Sequence, residues 1–414
     1  MKEVYKKLIL ENLERAKVSL VNRNIDFSET DITALIGPRR AGKTFCMFEM
    51  IQKLNFNQVL FLDFEDYRLI NLNNFDLILE AYQELFNNNP KFLFLDEIQS
   101  LKNWQKIIRT LHNNGFKIII SGSSSKLLSK EIATELRGRY ISKIILPFSF
   151  NEFLKLKNVT LTKDLIYLKK GILNNLINEY LKFGGFPEVI KKEKEQEKKD
   201  LLKSYYETIF YKDLSERYKI EQPENLLILM NYLLSNFSKY FSISKFTNFL
   251  KSNSISISKK TISKFLYELS ESFFIISSEK YSISLKKRIF NPKKIYLIDN
   301  GFSNLMLFNE DKGKLLENLI AIELKRRSKE FYYFSEKNEV DFLIKESNLI
   351  KEAIQVTFGI TETNKKREFN GLLEAMEKFN LNQSLIITFD QESEEKINNK
   401  KIKIIPFLKF ISSF

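Results

Sequence analysis

At 414 residues and 43% hydrophobic composition, the chain is long enough for two or three domains with buried cores rather than one. Its single cysteine, Cys46, excludes an internal disulfide framework, and no apolar run approaches the ~20 residues that span a bilayer, so the expectation is a cytoplasmic protein with no membrane partner. The net charge of +14 favours a polyanionic partner, and much of it is local: residues 239–294 hold twelve Lys or Arg against three acids.

In chain order, a charged amphipathic stretch (MKEVYKKLILENLERAK) comes first. The apolar run Ile32–Ile36 then predicts a buried strand, GPRRAGKT (Gly37–Thr44) follows at once, and FCMFEMIQKL has helical spacing. Strand, glycine loop and helix together are the context of a phosphate-binding loop. Gly37 and Gly42 let the backbone turn its N–H groups onto phosphate, with Pro38, Arg39, Arg40 and Ala41 forming the rest of the loop. Lys43 is expected to reach the β- and γ-phosphates of ATP, Thr44 to give its hydroxyl to Mg²⁺, and Phe45 to complete the contact set. Arg39 and Arg40, at the crown, fit phosphate contact and solvent exposure equally well.

FLFLDE (Phe92–Glu97) reads as a buried strand ending in two acids at the edge where parallel sheets bind ligands. Asp96 is expected to hold Mg²⁺, and Glu97 to orient and deprotonate the attacking water, so hydrolysis is expected rather than binding alone. Lys117–Ser121 predicts a neighbouring strand, with Ser121 or Ser123 placed to sense the γ-phosphate. Trp104, the sole tryptophan, reads as core, and His112, the sole histidine, has no partner cluster. ELRGRY (Glu135–Tyr140) precedes a further apolar strand, ISKIIL.

The charge run Glu193–Asp200 reads as a solvated helix face or a linker, and is taken as the hinge region. From Glu224 onward, three helical patterns followed by β-like IISSEKYSISL predict a winged helix-turn-helix. Its third helix leads with Lys259, Lys260, Thr261 and Lys264, expected to contact duplex or branched DNA. Beyond KIYLIDNG, a long helix (GKLLENLIAIELKRRS) precedes two β patterns, YYFSEKNEVDFLIKE and EAIQVTFG.

GPRRAGKT, FLFLDEIQSLKNW, IIISGSSSKLL, ELRGRY, LPFSFNEFL, FGGFPEVI, KIYLIDNGF and EVDFLI occur in an order that resembles a prokaryotic group of AAA-type P-loop ATPases related to the STAND lineage. The resemblance covers almost the whole chain. It implies an α/β fold: an AAA-type ATPase domain (1–155), a helical lid or linker (156–222), the winged helix (223–292), and a small restriction-endonuclease-like α/β domain (293–414). It also implies an arginine finger at Arg139, or at Arg137, acting in a neighbouring subunit and hence a homo-oligomer, a hexameric ring being one form. Pro187 of GGFPE maps to a proline that packs near adenine, with Gly184 and Gly185 shaping the turn, whereas by sequence alone Gly-Gly-Phe-Pro is a helix stop.

The C-terminal part resembles the PD-(D/E)XK nuclease fold through Glu317 and Asp341. Gln355-Val356-Thr357 stands where that family has acid-x-lysine, and Glu352 would need a register shift to compensate. The resemblance therefore implies a nuclease-like domain without nuclease activity. The function it favours is a DNA motor or remodeller acting on structures such as Holliday junctions. A STAND-like nucleotide switch acting on a protein partner is the alternative.

Overall fold

Four short apolar runs become parallel strands because each can bury both faces, and a fifth run of mixed character pairs along the edge. They are β1 (Ile32–Ile36), β2 (Val59–Asp63), β3 (Phe92–Asp96), β4 (Lys117–Gly122) and β5 (Tyr140–Ile144), in the order β2-β3-β4-β1-β5. Every residue of β1 and β3 is buried, whereas the edge strand β5 is half-exposed. Each fully buried Leu or Phe of these strands contributes about 2 kcal/mol. Helix α1 (Lys2–Arg15) packs on α3 (Asp76–Phe86) and β2, while α2 (Lys43–Gln52) and α4 (Trp104–Asn113) pack on β4. Because all five strands are parallel, the ends of β1, β3 and β4 emerge along one edge of the sheet.

The computed structural model describes residues 2–28, 30–70, 72, 74–123, 139–162, 170–306 and 311–412. The chain divides into Met1–Thr160 with Glu271–Phe273, and Leu161–Ser270 with Phe274–Phe414. Among the described residues, no helix is long and apolar enough to cross a membrane.

The second unit starts with helix Lys170–Phe183, a Gly184–Gly185 turn and the short helix Pro187–Ile190. Helix Glu195–Thr208 follows and widens into a π-helical segment, Ile209–Glu216. Most of the charge run Glu193–Asp200, expected as a hinge, therefore lies inside a helix. The reason is its other face: Leu202, Tyr205 and Tyr206 are buried, and the Lys198 ammonium pairs with Glu179 at 2.5 Å.

Helix Pro223–Ser235, β6 (Lys239–Phe241), helices Ile243–Ser252 and Lys259–Glu271, β7 (Ile275–Ser278), helix Leu285–Phe290 and β8 (Lys293–Leu297) come next. β8 pairs antiparallel with both β6 and β7, so a boundary between residues 292 and 293 would cut this sheet. The β-like segment Ser282–Leu285 instead leads into a helical turn, where the Ser284 hydroxyl accepts the Lys287 N–H at 3.4 Å.

The remainder is helix Lys312–Arg326, β9 (Glu330–Ser335), β10 (Glu339–Glu346), β11 (Leu349–Val356), helix Glu362–Lys378, β12 (Gln383–Thr388), β13 (Ser393–Ile397), β14 (Lys400–Pro406) and helix Phe407–Ser412. The sheet runs β13-β14-β12-β11-β10-β9; its β9-β10-β11 pairings are antiparallel and its β11-β12-β14 pairings parallel. Phe369, Leu372, Ala375 and Met376 share one core with Val340, Leu343, Ala353 and Ile386.

Candidate nucleotide-binding site

The loop after β1 is shaped by what its glycines allow. A Cβ on Gly37 would lie 1.9 Å from the Ile145 carbonyl oxygen, and Gly42 has φ 92, so neither position accepts another residue without strain. No side chain caps the start of α2 at Gly42, an arrangement that suits an anion at that helix end. Lys43 is buried and lies across its own loop, its ammonium donating to the carbonyls of Gly37 (3.3 Å) and Pro38 (3.1 Å). Pro38 and Ala41 are buried, Arg40 is exposed at φ 66, and Arg39 pairs with Glu65 at 2.9 Å. Phe45 is exposed, edge-on to Phe48.

β3 delivers Asp96 to this loop. The Thr44 hydroxyl donates to Asp96 Oδ2 at 2.6 Å, and the Ser121 hydroxyl, from the neighbouring β4, donates to Asp96 Oδ1. Ser121 also accepts the Glu97 N–H at 3.1 Å, so one serine fixes both acids. Glu97 sits in the left-handed region at φ 48, a turn that ends the strand and sets its carboxylate 3.7 Å from the Lys43 ammonium. Gln99 donates to the other Glu97 oxygen at 2.5 Å. Burial pushes the Asp96 carboxyl up to about 6, with the Glu97 charge acting in the same direction, against the hydrogen bonds from Ser121 and Thr44. The donor set suits Mg²⁺: a hydroxyl and a carboxylate, hard oxygens at the mouth of a phosphate loop. Ser123 is buried two residues past Ser121, just beyond the end of β4.

Two residues absent from the sequence reading belong here. Asp63 ends β2 in register with Asp96, so VLFLD and FLFLD form a paired repeat of apolar strand and acid. That repeat was the available signal. Arg23 had none, since it lies in an extended segment without periodicity. Its guanidinium holds Glu152 at 2.7 Å and the carbonyls of Ala41 (3.0 Å) and Leu146 (2.9 Å), bracing the phosphate loop from behind. Its side chain is 7% exposed and Glu152's is 14%. Arg23→Ala is expected to destabilise the first unit by about 3 kcal/mol, because it strands a buried carboxylate. Trp104, the sole tryptophan and a buried residue of this unit, reports the loss in urea by fluorescence.

Arg139 is exposed where β5 begins, its guanidinium donating to Asn113 at 2.9 Å and its carbonyl accepting from Ile32 at 3.1 Å. That is the opposite end of β1 from the phosphate loop, roughly 16 Å along the strand, so Arg139 is not brought to its own chain's site. Arg137 lies outside the described residues. Pro187 opens a helix of the second unit. Lys259, Lys260 and Lys264 are exposed at the start of their helix; Thr261 shares a hydroxyl contact with Ser258 at 2.8 Å, and Lys264 pairs with Glu268 at 3.7 Å. Asp341 and Gln355 meet, the Asp341 N–H donating to Gln355 Oε1 at 3.1 Å, while Thr357 turns to the Gly359 carbonyl. Glu352 is exposed on β11, opposite Ile344.

Residues 29–154 match the family described as AAA domain, 174–313 a domain of unknown function (DUF8612) and 312–410 another (DUF4143). The chain is 40% identical over 428 residues to the uncharacterized protein MJ1544 of Methanocaldococcus jannaschii, covering 99% of this chain and 95% of that one. An uncharacterized protein of Haemophilus influenzae is 30% identical over 350 residues, covering 82% and 85% respectively. Among solved structures, the Walker-type ATPase paby2304 of Pyrococcus abyssi is 14% identical, with 74% of this chain and 95% of that one covered and a TM-score of 0.42. The phosphate loop and the acidic strand end lie within the AAA match at residues 29–154, and the two long alignments fix the kinship of the whole: the chain belongs to the family that includes those M. jannaschii and H. influenzae proteins.

Proposed function

We propose that the chain is an ATP-hydrolysing, DNA-binding AAA-type ATPase of the cytoplasm, working as a homo-oligomer on structured DNA such as four-way junctions. The observation that carries it is the convergence of Lys43, Thr44, Asp96, Glu97 and Ser121 at the ends of β1, β3 and β4. Gly37–Thr44 and the first turn at Phe45 hold the phosphates, and Lys43 exchanges its loop carbonyls for phosphate oxygens. Thr44 and Asp96 are the oxygen donors for Mg²⁺, which when bound neutralises charge on the β- and γ-phosphates. Glu97 orients water and takes its proton. Ser121 keeps the two acids in register, and Arg139 serves a neighbouring protomer.

The DNA part rests on the second unit. Helix, strand, two helices, strand, short helix and strand, with β8 between β6 and β7, fit a winged helix-turn-helix, and Lys259, Lys260 and Lys264 stand exposed at the start of its third helix. The sequence helix, three antiparallel strands, helix, strand over residues 312–388 fits a nuclease-like fold, and Gln355 and Thr357 leave it without the chemistry. A branched substrate follows by fold analogy from these two parts.

The test is ATP turnover with and without duplex or four-way DNA, where a several-fold rise is expected. Replacing Lys259, Lys260 and Lys264 together with alanine is expected to reduce the slope of log affinity against log salt by about 3. A chain that retains ADP through purification, binds no DNA at low salt and shows no stimulation would be a nucleotide switch for a protein partner instead.

A further inference from the structure

In the second unit, β8 carries Lys294 into a pocket of acids from other elements. Its ammonium lies 2.6 Å from Asp341 Oδ1, 2.8 Å from Glu317 Oε1 and 3.2 Å from Glu339 Oε1, and the residue is 3% exposed. The surrounding groups are committed to the same arrangement. Asp341 Oδ2 accepts the Val356 N–H at 2.9 Å, the Tyr296 hydroxyl donates to Glu317 at 2.8 Å, and the Gln355 amide donates to Glu368 at 2.7 Å. The Tyr240 ring lies 5.7 Å from the ammonium. Burial alone would drive Lys294 toward its neutral form, but the charges of Asp341, Glu317 and Glu339 outweigh it and hold the group protonated well above its ordinary range.

We propose that Lys294 is the resident cation of this pocket and shuts it to divalent metal. A nuclease-like domain implies a catalytic Mg²⁺ among such acids, and the residues present do not fit one: Gln355 is neutral, Thr357 is no lysine, and an ammonium occupies the centre of the three carboxylates. These oxygens are the hard donors that Mg²⁺ or Mn²⁺ takes. Without the ammonium, the buried Asp341 and Glu317 carboxylates face one another with the exposed Glu339 at the rim, and a small hard dication relieves that repulsion. Lys294 therefore does two jobs. It offsets negative charge in the pocket, and it ties the β6-β8-β7 sheet to helix Lys312–Arg326 and β10.

The experiment is Mn²⁺ binding to the full chain without nucleotide, followed by electron paramagnetic resonance. Both proteins carry Thr44→Ala and Asp96→Asn, which silence the other candidate metal position. The Lys294 chain is expected to bind no Mn²⁺ at this pocket. Lys294→Met is expected to gain one Mn²⁺ per chain, and adding Asp341→Asn to weaken that binding by about tenfold or more. Equal Mn²⁺ uptake with and without Lys294 overturns the proposal. If Lys294→Met does not fold in chelator, recovery of its folded far-ultraviolet signal on adding Mn²⁺ is the expected result. A variant that stays unfolded with millimolar Mn²⁺ overturns it equally.

Discussion

Glu97→Gln is expected to lower ATP turnover by about a hundredfold or more while leaving nucleotide affinity nearly unchanged. The substitution keeps the shape of the side chain and leaves the residue 97 backbone N–H on Ser121, so the new amide stays in register with Asp96. What it removes is the charge that, in the proposed role, draws a proton from water, in a carboxylate set 3.7 Å from the Lys43 ammonium. Steady-state hydrolysis together with a fluorescent-nucleotide titration separates the two effects. Turnover within a few-fold of the parent would place the catalytic base elsewhere. Loss of nucleotide binding would make Glu97 a structural acid of the loop.

Gly184→Ala is expected to unfold or severely destabilise the second unit, by about 4 kcal/mol or more. Gly184 has φ 74, and an added Cβ would lie 1.7 Å from Asp299 Oδ1. That carboxylate cannot retreat: it is fully enclosed and accepts the N–H groups of Gly185 (2.7 Å) and Gly301 (2.8 Å). Burial pushes its pKa up to about 7 against those two donors. Far-ultraviolet circular dichroism should show the early loss, while the Trp104 fluorescence transition of the first unit stays in place. In an Asp299→Ala background the same substitution should cost less, since one partner of the clash is gone. Equal costs in the two backgrounds would show that backbone strain alone governs this turn.

The Gly184 turn also shows where reading the sequence stops. FGGFPE and IDNG could each be seen as motifs, and Gly-Gly-Phe-Pro as a helix stop, which the end of helix Lys170–Phe183 matches. That the second glycine-bearing motif supplies the carboxylate for the first could not be seen, because the partners lie 114 residues apart. For Glu193–Asp200, packing decided between a solvated helix face and a linker for a related reason. Composition reports the charges, but not that Lys198 has Glu179 to pair with or that the opposite face is buried. Hiding Lys293–Leu297 beyond a domain boundary was a third case, since only strand pairing assigns it to the β6-β8-β7 sheet.

What the sequence by itself determined is whatever a single segment dictates to its own backbone. Gly37 and Gly42, the apolar runs of β1 and β3, and the acids Asp96 and Glu97 directly after an apolar stretch are each local, and each lies where its pattern put it. What only the tertiary structure decided is which distant groups are packed together: Arg23 behind the phosphate loop, Asp63 beside Asp96, Asp299 under Gly184, and Lys294 among Glu317, Glu339 and Asp341. The physical reason is common to all four. A charge or polar group becomes costly once packing removes water, and packing, not chain order, selects the partner that offsets that cost.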